Sequence, residues 1–338
     1  MLQSSTVSGA FTLVVLGVVL LATLWVLVRA LSIPLFSSDK GAASNYAGRT
    51  VHYGLGVVWF LWALLLAVGA VATAFLTGED VLAVVPIAAL AVIVFALGLF
   101  DDAYGSGESR GFRGHIRSAR RGELTTGGLK LVGISLAALT YAVIDLWGPR
   151  YATLGTATGE WLNAVGASWA IEVAPLLGAV VAGAAIALTA NLLNLTDLRP
   201  GRALKSYLGL VGVGTVIALG SFAAIRLSTG ACPPDSARIS LIAALVVLLA
   251  PAVVSWRYDL AERAMLGDAG ANVMGAVAGA FIVYQLNLGS LVLYALVVFG
   301  LNLASEKVSF SRVIASNRAL SYLDNLGRLK DVSDHPEE

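Results

Sequence analysis

The chain has 338 residues, 58% of them hydrophobic and 13% charged, with 22 Lys and Arg against 21 Asp and Glu. An ordinary soluble domain carries about 25% charged residues, so this composition excludes a disordered chain, a basic nucleic-acid-binding protein and a typical soluble enzyme, and points to a polytopic membrane protein. A single cysteine, Cys232, excludes an internal disulfide and any cysteine-based zinc site.

About 20 apolar residues carry a helix across the roughly 30 Å hydrocarbon layer. Windows of this kind recur at 9–28, 51–78, 81–100, 127–148, 173–196, 206–225 and 239–255. The fourth holds Lys130 near one end and Asp145 near the other. Residues 269–305 carry no charge. As one helix that stretch would be roughly 55 Å long, too long for a single span. Asn287-Leu288-Gly289-Ser290 offers a turn in its middle. The fold class expected is therefore all-α, a bundle of about nine transmembrane helices in the lipid bilayer. The first segment has no basic start and a long apolar run, so it reads as a span and not as a cleaved signal peptide. Its Ala- and Gly-rich neighbours, such as 178–185, fit close helix packing in lipid.

Lysine and arginine set the orientation. Nine spans divide the connecting segments into two sets. One set (29–50, 101–130, 197–205, 256–268 and 306–338) holds 19 of the 22 basic residues. The other keeps only Arg150, Arg226 and Arg238. The first set is expected in the cytoplasm, with the N-terminus outside and the C-terminus inside the plasma membrane. Segment 149–172 is the one sizeable external loop. The chain divides into a membrane domain, 1–310, and a cytoplasmic tail, 311–338. Within the tail, Leu320, Leu323, Leu326 and Leu329 stand among Arg312, Arg318 and Arg328. That pattern predicts an amphipathic helix over 311–329, lying on the membrane surface or against the bundle.

Acidic residues gather at one set of span ends. Asp101 and Asp102 follow span three, Asp197 follows span five and Asp268 precedes span eight. Each alone has a plain explanation: Asp268 as a helix N-cap, Asp197 as a solvated loop residue. Together at a low-dielectric boundary they repel, which calls for a proton or a bound cation. Carboxylates without Cys or His suit Mg²⁺ or Mn²⁺. Basic residues interleave with them: Lys40, Arg49, five arginines between 110 and 121, Lys130, Arg199, Arg202 and Lys205. The positive-inside rule alone supplies many of these charges, most of the 110–121 run among them. Beside a carboxylate–metal centre they suit a phosphate-rich substrate. Gly267 and Gly270, at a helix start, would let backbone N–H groups approach a phosphate. Asn191, Asn194 and Asp197 are spaced by three and share one helical face. Helix-packing glue is the plain reading of the two amides.

Three segments carry a resemblance: Gly98-Leu99-Phe100-Asp101-Asp102, Asn191-Leu192-Leu193-Asn194-Leu195-Thr196-Asp197 and Met265-Leu266-Gly267-Asp268-Ala269-Gly270-Ala271-Asn272. In order, they resemble cytoplasmic motifs of the polyprenyl-phosphate N-acetylhexosamine-1-phosphate transferases. A weaker match, Asn45-Tyr46-Ala47-Gly48-Arg49 followed by Gly54-Leu55-Gly56, resembles that family's first cytoplasmic loop. The resemblance implies an enzyme in which polyprenyl (undecaprenyl) phosphate attacks the β-phosphate of a UDP-N-acetyl sugar. UMP leaves, and a polyprenyl-diphosphate sugar remains for cell-envelope polysaccharide or peptidoglycan synthesis. It implies Mg²⁺ on Asp268, and Asp101 and Asp102 beside the lipid phosphate, one as base or its orienting partner. It implies Asn191, Asn194 and Asp197 around the diphosphate and nucleotide, Lys130 as the lysine that often follows the paired aspartates, and a homodimer as a compatible state.

The chain departs from the family pattern after Asp197, where Leu198-Arg199-Pro200-Gly201-Arg202 replaces a second aspartate, and over 300–330, which holds no histidine. These departures motivate a second reading, a catalytically weakened relative that binds lipid phosphate or a partner. A third reading is a secondary transporter. Against it, the carboxylates lie at one face and not at the midplane.

Overall fold

The computed structural model describes residues 2–36, 42–45, 48–78, 81–105, 125–146 and 169–329. Its elements in chain order are α1 (Leu2–Phe36), β1 (Ala42–Ser44), β2 (Thr50–Tyr53), α2 (Gly56–Thr77), α3 (Val85–Tyr104), α4 (Thr126–Leu146), α5 (Trp169–Thr196), α6 (Arg202–Thr229), α7 (Asp235–Leu260), β3 (Ala264–Met265), α8 (Gly267–Gln285), α9 (Leu288–Ser305), α10 (Phe310–Ser316) and α11 (Arg318–Asn325). Among the described residues, eight helices, α1 to α7 and α9, are long and apolar enough to cross a membrane. The protein is a membrane-embedded helical bundle.

The remaining long helix, α8, falls short of that apolarity because Asp268, Asn272 and Gln285 lie within it. It is buried along nearly its whole length. Helices α2, α3, α5 and α6 pack around it. Gly and Ala at 267, 269, 270, 271, 275, 276, 278, 279 and 280 keep it thin, and contact with flanking helices replaces contact with lipid. The uncharged stretch 269–305 breaks at Leu286-Asn287, where the Asn287 side chain accepts the Ser290 N–H and caps α9.

Two expected boundaries are corrected. The second span starts at Gly56, not at 51, because Thr50–Tyr53 forms a strand. That strand pairs antiparallel with β1 and parallel with β3, placing His52 opposite Ala264 and Tyr53 opposite Met265. The tail is not one helix over 311–329. It breaks at Asn317, whose side chain accepts the N–H groups of Ala319 and Leu320 and so starts α11 anew. The basic run 110–121, Lys40, the expected external loop up to residue 168 and the tail beyond 329 lie outside the described residues.

The core has a local logic at Pro251, inside α7. Proline has no N–H to return to the carbonyl of Val247. The Trp62 indole N–H supplies that donor at 2.9 Å, and the Tyr207 hydroxyl donates to Leu248 O at 2.9 Å. Trp59 packs edge-on against both Trp62 and Tyr207. Helices α2 and α6 are thereby tied to α7 at this segment.

Candidate active site

The site forms where α3 ends, α4 and α8 begin and the α5–α6 connection crosses. Asp101 and Asp102 occupy the last turn of α3. Lys130 reaches in from the first turns of α4, with Nζ 2.6 Å from Asp101 Oδ2. The same ammonium hydrogen-bonds Asp268 Oδ2. The Asp101 and Asp268 carboxyls also lie within hydrogen-bonding reach of each other. Two carboxylates so close need a shared proton or a cation between them. Lys130 is that cation here, and all three side chains are largely withdrawn from solvent.

Asp102 does something different. Its two carboxylate oxygens accept the backbone N–H groups of Asp268 and Ala269, at 3.0 and 2.9 Å. These are unpaired donors at the start of α8, where the helix dipole also favours an anion. A third donor, the Gly267 N–H, goes to Asp197. The α8 N-terminus thus gathers two carboxylates, one from the last turn of α3 and one from the connection after α5. Gly267 makes this possible: it sits at φ +63°, and a Cβ there would lie 2.8 Å from Asp102 Oδ2. Gly98 does the same for the helix pair, since its Cβ would stand 2.7 Å from Ala269 Cα. Gly270 packs against Gly56 at the start of α2, and its own N–H returns to Leu266 O.

Asp197 lies just past α5. Burial drives its carboxyl well above the ordinary aspartate range, the charges of Asp259, Asp268 and Asp102 push the same way, and the Gly267 N–H opposes them. Tyr53, at the end of β2, belongs to the same electrostatic neighbourhood. Burial first, then the carboxylates of Asp102, Asp268 and Asp197, hold its phenol above the usual value.

Asn45, Arg49, Asn191, Arg202 and Lys205, also expected to bind substrate, are engaged within the chain. Asn45 Nδ2 donates to Glu262 Oε2 at 2.5 Å, and Arg49 pairs with Glu262 Oε1 at 3.0 Å. Glu262 takes a left-handed backbone, φ 52°, in the turn between α7 and β3. Asn191 donates to Asn302 Oδ1 at 2.7 Å, and Asn302 donates in turn to the Leu188 and Val298 carbonyls. This is an α5–α9 packing lock. Asn194 is partly buried, one turn before Asp197. Arg199 is half-buried and its carbonyl accepts the Arg202 N–H. Arg202 is buried and forks onto both oxygens of Asp324, each at 2.8 Å. Lys205 donates to Asp324 O at 2.6 Å. The tail helix α11 therefore takes up two of the expected substrate cations.

Four residues that shape this region were not legible in the sequence as site residues: Tyr53, Asp259, Glu262 and Asp324. Asp259 is 3% exposed and accepts the Gly201 N–H, fixing the loop that follows Asp197. A carboxylate at the end of an apolar helix is the one signal that could have pointed to it.

The donor set is all oxygen, which suits Mg²⁺ or Mn²⁺ and not zinc. Among the described residues, no three His, Cys, Asp or Glu stand together as a metal cage. A Mg²⁺ held through one or two carboxylates plus substrate phosphates needs none. Both Asp102 oxygens are committed to backbone N–H groups, so Asp268 and Asp101 fit the ion best, in the place where Lys130 now balances them.

No protein-family model matches the chain, and no curated protein matches it.

Proposed function

We propose that this chain is an integral-membrane glycosyl-1-phosphate transferase, moving an N-acetylhexosamine-1-phosphate from a UDP-sugar to polyprenyl phosphate. The single observation that carries the reading is the meeting of Asp101, Asp102, Asp268 and Lys130, drawn from three helices to one end of the bundle. A membrane protein has little reason to desolvate so many charges unless they handle charge. The resemblance of the three aspartate-bearing segments to the transferase motifs names the reaction. The basic bias of the same end supports its placement on the cytoplasmic face of the plasma membrane, with α8 as the ninth span, the N-terminus outside and the C-terminus inside.

In this reading Asp268, with Asp101, would hold Mg²⁺. Mg²⁺ bound there supplies neutralisation of the charge that accumulates between two phosphates. Lys130 balances the two carboxylates, and with a cation on them its ammonium would be free to serve a phosphate oxygen of the substrate. Asp102 and Asp197 hold the α8 N-terminus and its Gly267 turn in place, so that Asp268 is presented from a fixed backbone. A lipid phosphate is already largely ionised near neutral pH, so its attack needs orientation more than proton removal.

The test is UMP release from a panel of UDP-N-acetyl sugars by purified protein with undecaprenyl phosphate and Mg²⁺. Turnover with at least one sugar is expected, and its loss in Asp268→Asn. No release across the panel would sink the transferase reading. The engagement of Arg202 by Asp324 favours one second reading, a relative that binds lipid phosphate without turning it over. Bound polyprenyl phosphate without UMP release would select it.

A further inference from the structure

The same end of the bundle carries a shallow groove on its outer face, between α1 and α7. Its lining is Trp25, Arg29, Val254, Arg257 and Tyr258. The two helices pack along each other, and neither supplies Asp101, Asp102, Lys130 or Asp268. Arg29 lies near the end of one apolar span, Ser8–Leu31, and Arg257 near the end of another, Asp235–Leu260. Trp25, one turn deeper, is 40% exposed, and the neighbouring Val26 and Val253 are 64% and 50% exposed. Exposed valines on spanning helices face hydrocarbon, so the groove opens sideways into the bilayer at headgroup depth. Arg257 rests 5.9 Å from the centroid of the Tyr258 ring, which also lines the groove.

A lone arginine at a span end is ordinary snorkelling. Two guanidiniums from helices far apart in sequence, sharing one groove with an indole, form a more specific arrangement. Guanidinium forks match phosphate oxygens, and tryptophan favours the interfacial layer. We propose that this groove binds the phosphate of an anionic glycerophospholipid, with Arg29 and Arg257 on the phosphate, Trp25 against the glycerol region and acyl chains along Val26 and Val253. The lateral opening commits the site to a lipid and not to a free phosphate. The inference stands independently of the transferase reading.

The experiment uses the full chain in detergent, with retained lipid counted by native mass spectrometry. Phosphatidylglycerol, phosphatidylcholine and inorganic phosphate are offered separately and in competition. Wild type is expected to retain phosphatidylglycerol at least roughly tenfold better than phosphatidylcholine. Arg29→Gln/Arg257→Gln should lose that preference, while Arg312→Gln/Arg318→Gln, which removes two exposed tail charges, keeps it. Trp25→Ala, which leaves every charge in place, should weaken retention and serves if the double variant fails to fold. An unchanged preference in both groove variants, an equal loss in the tail variant, or displacement of the lipid by inorganic phosphate would each overturn the proposal.

Discussion

Lys130 sits between two carboxylates that its own helix does not supply. Replacing it with Gln leaves Asp101 and Asp268 facing each other with nothing to balance them. Lys130→Gln is expected to lower the thermal midpoint in the absence of divalent cations, and added Mg²⁺ should raise that midpoint more than it raises the wild type's. Equal Mg²⁺ responses would show that the ammonium is not the counter-charge. Asp197 carries the opposite kind of liability. Its carboxyl binds a proton more tightly when folded than when unfolded, because burial and neighbouring carboxylates disfavour its charge. The folded state therefore loses stability as pH rises past the ordinary aspartate value, about 3.9. Asp197→Asn should be more stable than wild type at pH 7 and equal to it at low pH, as thermal unfolding in detergent would show. A destabilised variant at pH 7 would place the burden elsewhere. The cluster of aspartates was legible because carboxylates at span ends are rare enough to stand out. The division of labour among them was not. Which oxygens meet backbone N–H groups and which meet Lys130 depends on how α3 approaches α8, and Gly98 and Gly267 decide that only once the helices are packed.

At the level of elements, α8 explains both what the sequence revealed and what it hid. Its uncharged run and the turn at Asn287 were readable from charge spacing. That the helix is the buried hub was not, because Gly and Ala spacing fits both packing in the centre and packing at the edge. The tail shows the converse. Its leucine and arginine pattern predicted an amphipathic helix, yet the break at Asn317 follows from a side-chain cap with no periodic signature. The most consequential tail residue, Asp324, reads as one more polar-face position. In the fold it is 7% exposed and holds Arg202. Asp324→Ala leaves a buried guanidinium without its carboxylate, a change that costs about 3 kcal/mol. Burial opposes ionisation of Asp324, but the hydrogen bonds and charge of Arg202, helped by Arg328 and Lys205, hold its carboxyl below the usual range. The stabilisation is therefore complete above about pH 4 and fades as pH falls through that lowered value. The gap between wild type and variant in unfolding midpoint should close on acidification. A gap that stays constant with pH would argue for a packing role instead.

On the scale of the whole molecule, the charge bias assigns an orientation that one residue can report. Cys232, the only cysteine, is exposed in the α6–α7 connection, at the end of these helices opposite Arg202 and Asp259. A membrane-impermeant maleimide should label it on intact cells. A cysteine placed at the exposed Ser316 in a Cys232→Ser background should label only after permeabilisation. The reverse pattern would invert the proposed topology. The apolar stretches that form α1 to α7 and α9 were plain in the sequence because lipid imposes a length on every exposed span. The small sheet that ties Thr50–Tyr53 to Ala264 and Met265 was invisible, since its partners are more than 200 residues apart and a two-residue strand has no period. The Arg202–Asp324 contact has a consequence for how the protein is made. The two residues are separated by 122 positions, which a ribosome traverses in roughly 6–24 s at about 5–20 residues per second. For that interval each nascent chain holds α6 in the membrane with its first guanidinium still waiting for a carboxylate. The loop after Asp197 is held early by Asp259, but its Arg202 closure comes late, as a post-insertion event, and translation stalled after α9 should leave that loop more open to added protease than it is in the finished chain.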